Sequence, residues 1–302
     1  MDRYFLEPYR FIPPHRGTLW NYLGRPIVSR HIRKNLRVQR WAFSGLEQLR
    51  EAVTSGAGIL LTPNHTRSAD PFVLGYMSKD LGHYFYFVAS IHLFRASRVR
   101  GWLMNRMGAY SIWREGVDRE SLRATVNILA SAERPVVLFP EGTWFRQNDR
   151  VGPLQEGLSL ITRQAVRQGK RPILVFPVGI KYWNLTDIQG ELRARLSQQE
   201  KRLGWKPRSD VPHLERLEKI FEAQIGLNEL EYLGQLQSGP TEDRFRMLVE
   251  SIIQGQEKSH LGQVHEGWHL ERIRRLRQHL VRKRQENAGD QDWIARSNRE
   301  LD

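Results

Sequence analysis

Asn64-His65-Thr66-Arg67-Ser68-Ala69-Asp70 sets a histidine and an aspartate five positions apart, directly after an apolar stretch. Further along, Phe139-Pro140-Glu141-Gly142-Thr143 sets a carboxylate and a hydroxyl in a glycine turn after another apolar stretch. A histidine can take a proton from a hydroxyl near neutral pH. A carboxylate on its other nitrogen then holds one tautomer and supports the cation that forms. Together the two strings describe general-base chemistry on a hydroxyl, the chemistry that acyl transfer requires. The plainer readings are a histidine that caps a helix and a Pro/Gly turn that merely ends a strand. Of the ten histidines, however, only His65 has an aspartate five residues on, and the second string sits where a site would need it.

The spacing dictates how the pair must be held. Five residues on a regular helix turn the side chains about 140° apart, so a straight helix cannot bring them together. Ile59–Thr62 reads as the end of a strand, and Asp70-Pro71 as an N-cap with its first helical residue. His65 then lies in the turn, Asp70 reaches back from the helix mouth, and Asn64 braces the turn. Glu141 follows the buried strand Val136–Phe139, and ligand sites in open α/β sheets gather at such carboxyl ends.

The surrounding elements fit this placement. Val38–Phe43, Gly58–Thr62, Tyr84–Ala89, Ala109–Trp113, Pro135–Phe139 and Ile173–Ile180 read as strands from their apolar runs. Leu122, Val126 and Leu129 share one helical face after a cap at Asp118. Leu154, Leu158, Ile161 and Ala165 share another after Pro153 at a first helical position. Strands alternating with helices predict an α/β domain with a largely parallel sheet flanked by helices. After the last strand the chain turns rich in Glu, Arg, Gln and Leu. It shows helical spacing at Leu214, Leu217, Phe221 and at Ile273, Leu276, Leu280, punctuated by Gly226 and Ser238-Gly239-Pro240. The expected organisation is a basic aromatic segment over 1–45, an α/β domain over 46–186 and a helical extension over 187–302, with a weakly ordered tail from Asn287 and no internal repeat.

Composition narrows the partners. The net charge of +14 and a pI near 10.3 imply an anionic partner: a phospholipid surface, a phosphorylated substrate or nucleic acid. Half the excess lies in the first fifty residues, where ten Lys/Arg face three acids. Leu81–Arg114 contains no acid, and Arg272, Arg274, Arg275, Arg277, Arg282, Lys283 and Arg284 form a later cluster. The absence of cysteine excludes disulfides, thiolate metal sites and a cysteinyl-acyl intermediate. No uncharged stretch reaches the roughly 18–20 apolar residues of a membrane span, and the N-terminus lacks the apolar core of a signal peptide. A cytoplasmic, peripherally attached protein is expected. Tyr4, Phe5, Tyr9, Phe11, Trp20 and Tyr22 among arginines suit a membrane surface or a layer packed on the core.

The chain resembles the glycerolipid acyltransferase family, of the lysophosphatidic acid acyltransferase type, over roughly residues 45–185. Asn64-His65 through Asp70 is similar to its His-x4-Asp block and Gly108–Arg114 to its second. Phe139–Thr143 is similar to its third, and Phe176-Pro177-Val178 to its fourth. The resemblance implies transfer of a fatty acyl group from acyl-CoA or acyl-carrier protein to a hydroxyl of a lysophospholipid, by default 1-acylglycerol 3-phosphate. His65 would be the general base and Asp70 its partner. Arg114, Glu141, Gly142, Thr143 and Arg146 would shape the acceptor site, supported by Asn64 and Pro140. The donor is an activated thioester, so no metal or other cofactor is implied. Two departures bear on the acceptor. Trp144 follows Thr143 where an arginine is frequent, and Gln155-Glu156 precede Gly157 where a lysine is frequent; Arg146 and Arg150 are the cations at hand to compensate. The usual apolar N-terminal anchor is replaced by the arginine and aromatic segment.

Other readings remain: an acyltransferase for another lysolipid head group, a non-catalytic lipid binder, or a basic nucleic-acid-binding protein. No familiar nucleic-acid signature appears, so no specific nucleic acid is expected. No Gly-x-Ser-x-Gly elbow surrounds Ser68, which disfavours a serine hydrolase. Oligomeric state is open.

Overall fold

A computed structural model describes residues 9–286; Tyr4, Phe5 and the tail from Asn287 lie outside the described residues. The chain divides into two compact units, Met1–Tyr182 and Trp183–Asp302, and the described part of the basic N-terminal segment falls in the first.

In chain order the first unit contains α1 (Leu19–Leu23), α2 (Arg25–Lys34), α3 (Leu46–Thr54), β1 (Gly58–Pro63), α4 (Asp70–Leu81), β2 (Tyr86–Ser90), α5 (Ile91–Arg95), α6 (Arg98–Arg106), β3 (Ala109–Ile112), α7 (Arg119–Ser131), β4 (Val136–Val137), α8 (Gly157–Gln168) and β5 (Ile173–Val178). The five strands form one sheet in the order β3-β2-β4-β1-β5, and each neighbouring pair is parallel. A parallel sheet needs cover on both faces, and the alternation along the strands supplies it. Ile59, Leu61 and Val137 face a cluster with Leu49 of α3 and Leu74, Met77 and Leu81 of α4. Leu60 and Val136 face the opposite cluster with Val126 and Leu129 of α7 and Ile161 and Ala165 of α8. Gly58 permits this closeness: a Cβ there would stand 2.1 Å from the Leu129 carbonyl oxygen.

In the first unit three sequence expectations need correction. Among the described residues Val38–Phe43 pairs with no strand. Arg37 turns the chain at φ 54°, and the Val38 amide closes α2 on the Ile32 carbonyl at 3.0 Å. The apolar side chains that follow cover α4, with the Trp41 and Tyr76 rings 4.1 Å apart. The α8 helix begins at Gly157 rather than at Pro153. The residues between are bound elsewhere: Gly152 N–H donates to Glu141 Oε2 at 2.8 Å, and Gln155 N–H to the Pro140 carbonyl at 2.8 Å. Asp70 is itself the first residue of α4, with Ala69 as N-cap. The Asp118 cap of α7 is as expected, accepting from Ser121 N–H at 2.9 Å.

The second unit is helical: α9 (Gln189–Arg202), α10 (His213–Leu233), α11 (Thr241–Leu261) and α12 (His269–Glu286). Contrary to the sequence reading, it is built from a repeat. Arg216, Arg244 and Arg272 stand 28 residues apart, each at the fourth position of its helix. Each clamps a glutamate of the preceding helix through Nε and Nη2. The distances are 2.8 and 2.7 Å to Glu200, 2.9 and 2.7 Å to Glu229, and 3.1 and 2.7 Å to Glu257. The same glutamates accept the amide eight residues on, from Arg208, Gln237 and His265. Left-handed Gly204, Gly234 and Gly262 recur between the helices. Leu196, Ile225, Ile253 and Val281 recur as buried residues at matching places. The repeat escapes a simple scan because its constant residues are single Glu, Arg and Gly positions among variable, exposed ones. Gly226 does not punctuate α10; it is buried within the helix, where a Cβ would meet Leu236 at 3.2 Å. Arg272, one of the basic C-terminal cluster, is buried in its clamp rather than displayed.

Candidate active site

All strands run the same way, so the loops after β1, β3, β4 and β5 open at one edge of the sheet, where each carries a residue of interest. The turn after β1 is fixed to β5. Asn64 Nδ2 donates to the Ile180 carbonyl at 3.0 Å, and its Oδ1 accepts the Ile180 amide at 2.6 Å. Asn64 thus closes the β1–β5 pair past its last register match, Pro63 with Val178, and hands the chain to His65.

The His65 Nδ1 lies 2.8 Å from Asp70 Oδ2. Asp70 is fully buried, while the imidazole keeps 19% of its surface open. The carboxylate accepts four further donors. Thr66 N–H at 2.8 Å and Arg67 N–H at 2.9 Å reach Oδ2; Thr66 Oγ1 at 3.3 Å and the Tyr182 hydroxyl at 2.6 Å reach Oδ1. So many donors hold this buried carboxylate in one orientation. An anionic Asp70 accepts from Nδ1–H, which leaves the lone pair of His65 on Nε2. The Phe139 ring stacks on the imidazole, with centroids 4.0 Å apart and planes at 25°.

The loop after β4 is latched to the His65 turn. Glu141 is buried, and both its oxygens are taken by backbone amides: His65 N–H at 2.7 Å and Gly152 N–H at 2.8 Å. The Phe145 amide returns a bond to the His65 carbonyl at 2.8 Å. Gly142 sits at φ 70°, the left-handed conformation that favours glycine, and its carbonyl accepts from Arg114 Nη1 at 2.5 Å. Pro140 is buried, and Thr143 follows half-buried at the mouth of the turn. Arg114 comes from the end of β3, so three strand ends meet here. Arg146 is outside this cluster: it is exposed, with its guanidinium 5.3 Å from the centroid of the exposed Trp144 ring.

The structure therefore brings His65, Asp70, Asn64, Pro140, Glu141, Gly142, Thr143 and Arg114 to one edge and leaves Arg146 on the surface of the loop. Two partners were not foreseen, Tyr182 on Asp70 and Phe139 on His65. Phe139 lies within the quoted block. The signal for Tyr182 is weak, an aromatic beside Trp183 two residues past the last apolar run. The amides of residues 65–67 are all consumed by carboxylates, so a developing oxyanion must find its donors elsewhere.

A parallel sheet thus carries a histidine on a buried carboxylate in the turn after β1, latched to a glycine turn after β4. Residues 40–181 match the family described as Acyltransferase. Within the chain, 107 residues are 31% identical to a 1-acyl-sn-glycerol-3-phosphate acyltransferase of Streptococcus pneumoniae (strain ATCC BAA-255 / R6). That alignment covers 35% of this chain and 37% of the relative. Over these residues the chain is therefore similar to the acyltransferase family, and it spans little more than a third of the length of the relative.

Proposed function

We propose that this protein transfers a fatty acyl group from acyl-CoA or acyl-carrier protein to the free hydroxyl of 1-acylglycerol 3-phosphate, forming phosphatidic acid. The observation that carries the reading is the 2.8 Å contact of His65 Nδ1 with a buried, five-donor Asp70 at the open edge of the sheet. In this mechanism His65 Nε2 removes the acceptor proton as the oxygen attacks the thioester carbonyl. Asp70 supports the imidazolium. Collapse of the tetrahedral intermediate breaks the carbon–sulfur bond, and the departing thiolate takes the proton back. No acyl-enzyme is formed.

The remaining residues divide by what they hold. Glu141 acts as a latch between the two loops, because both oxygens are already occupied. Arg114, at the Gly142 turn, is the cation suited to an acceptor phosphate, for guanidinium matches phosphate geometry. Membrane attachment is assigned to the first unit. Leu19, Leu23, Ile27, Val99 and Trp102 are exposed on α1, α2 and α6. The Trp20 and Trp102 rings, 4.7 Å apart, join α1 to α6, and Arg25, Arg98 and Arg100 lie on α2 and α6. An apolar patch rimmed by arginine suits the anionic inner face of a membrane. Among the described residues no helix is long and apolar enough to cross one.

The test is transfer of labelled long-chain acyl-CoA, and separately of acyl-carrier protein thioester, to a panel of lysolipids and glycerol 3-phosphate. His65→Ala runs beside the wild type. Label entering lysophosphatidic acid, and lost in the variant, supports the reading. A preference for a choline, ethanolamine or glycerol head group moves the acceptor assignment. Transfer that survives in His65→Ala removes the proposed base.

A further inference from the structure

We propose that Tyr182 is a positioning residue for the His65–Asp70 pair, a reading that rests on the transfer chemistry proposed above. Its hydroxyl donates to Asp70 Oδ1 at 2.6 Å, opposite the oxygen that meets His65. Thr66 Oγ1 shares Oδ1 at 3.3 Å, so Tyr182 supplies the shorter of its two bonds. A carboxylate pinned on Oδ1 presents Oδ2 to the imidazole in one orientation only.

Tyr182 is itself fixed at its backbone and at its ring. Asn148 holds its backbone, donating from Nδ2 to the carbonyl at 2.7 Å and accepting the amide on Oδ1 at 3.1 Å. The Arg67 guanidinium stands 4.8 Å from the centre of its ring, and Arg67 is in turn anchored on the Leu36 carbonyl at 2.9 Å. Such support is what a group with a geometric task needs, whereas an aromatic that only fills space needs none of these polar anchors. Burial, then the bond to Asp70, push the Tyr182 hydroxyl above its ordinary ionisation range, so it remains a donor wherever the enzyme would work. The residue is also the last of the first unit, so the chain leaves the acyltransferase domain directly from the catalytic pair.

The charged groups about the pair are Arg67 in the same turn and Glu141 from the loop after β4. Neither is altered by Tyr182→Phe, which keeps the ring and the backbone clasp. Loss of the hydroxyl leaves more of the Asp70 charge to the imidazolium. The midpoint of the His65 titration, followed by NMR, is therefore expected to rise in Tyr182→Phe, and the acid limb of kcat/KM to move up with it. We expect kcat to fall about tenfold, the equivalent of one hydrogen bond to a charged group, with KM little changed. An unchanged titration and unchanged kcat, with only a lower melting temperature, would show a structural role and overturn the proposal. If the wild type acylates no lysolipid, the transfer reading fails while the NMR titration still decides the positioning role. Should Tyr182→Phe not fold, Asn148→Ala loosens the same tyrosine and is read by the same titration.

Discussion

Asp70 takes five donors on two oxygens, and each makes a different demand on it. Asp70→Asn keeps the size but puts an NH2 group against one set of donors, and no orientation satisfies both. The variant is expected to lose kcat by roughly 10²- to 10⁴-fold, the range ascribed to a positioned acid–base group, while retaining its fold. Acyl-transfer kinetics and circular dichroism check the two halves of that statement. Glu141 makes a separate prediction. Its two oxygens accept two backbone amides, and a glutamine has only one oxygen. Glu141→Gln leaves one of the His65 and Gly152 amides unpaired, at a cost of about 1–3 kcal/mol. Both melting temperature and activity should fall, whereas loss of a phosphate-binding group would raise KM at unchanged stability. His65, Asp70 and Glu141 were visible in the sequence because their types are rare in those positions and follow apolar runs. Tyr182 was not, because a tyrosine after a strand is common and its partner lies 112 residues away in the chain.

At the scale of elements, the turn after β4 depends on a conformation. Gly142 is left-handed, and a Cβ there would stand 3.3 Å from Gln155. Gly142→Ala is expected to lower stability by about 1 kcal/mol or more and to displace the Arg114 contact. Thermal melting together with the KM for the lysolipid would read both. The helical unit carries its own prediction. Arg244 and Arg272 place Nη1 on a second glutamate, Glu222 at 3.5 Å and Glu250 at 2.8 Å. The corresponding position in the first repeat is Arg193, and Arg216 Nη1 is buried with no partner among the described residues. Arg193→Glu supplies the carboxylate that the sister repeats have, and should raise the melting temperature of the helical unit. The clamps also set its response to acid. Arg216, Arg244 and Arg272 hold Glu200, Glu229 and Glu257 below the usual glutamate range. An unfolded glutamate titrates near about 4.3. The clamps therefore contribute fully above that pH and are lost as pH falls through the lower folded values. Helical circular dichroism should drop in that acid window, and Glu229→Gln should shrink the drop.

The whole molecule divides its charge unevenly. Residues 183–302 hold equal numbers of acids and bases, so the entire excess of +14 belongs to residues 1–182. Under the proposed function the attraction for anionic surfaces belongs to the first unit, and the helical unit has no net charge to draw nucleic acid. Sedimentation with anionic vesicles should therefore weaken as salt rises, since screening shortens from about 10 Å at 0.1 M to about 3 Å at 1 M. Trp102→Glu should weaken it further at fixed salt without changing turnover of a water-soluble lysolipid. Binding that is indifferent to both changes would remove the proposed docking surface.

The sequence by itself determined the class of fold and the pairing of His65 with Asp70. Strand periodicity and the order of turns are local properties, and His65 and Asp70 lie within one turn. The same holds for the Asp118 cap of α7. Tertiary structure decided the rest, because each remaining feature depends on contacts between distant residues. Val38–Phe43 has strand-like composition but finds α4 to cover. Pro153 signals a helix start, yet its neighbours are bound by Glu141 and Pro140. Glu141 reads as an acceptor contact until its two oxygens are seen to be occupied. The clamps of the helical unit join residues fifteen or sixteen positions apart across a loop, a separation at which no helical or strand period brings side chains together.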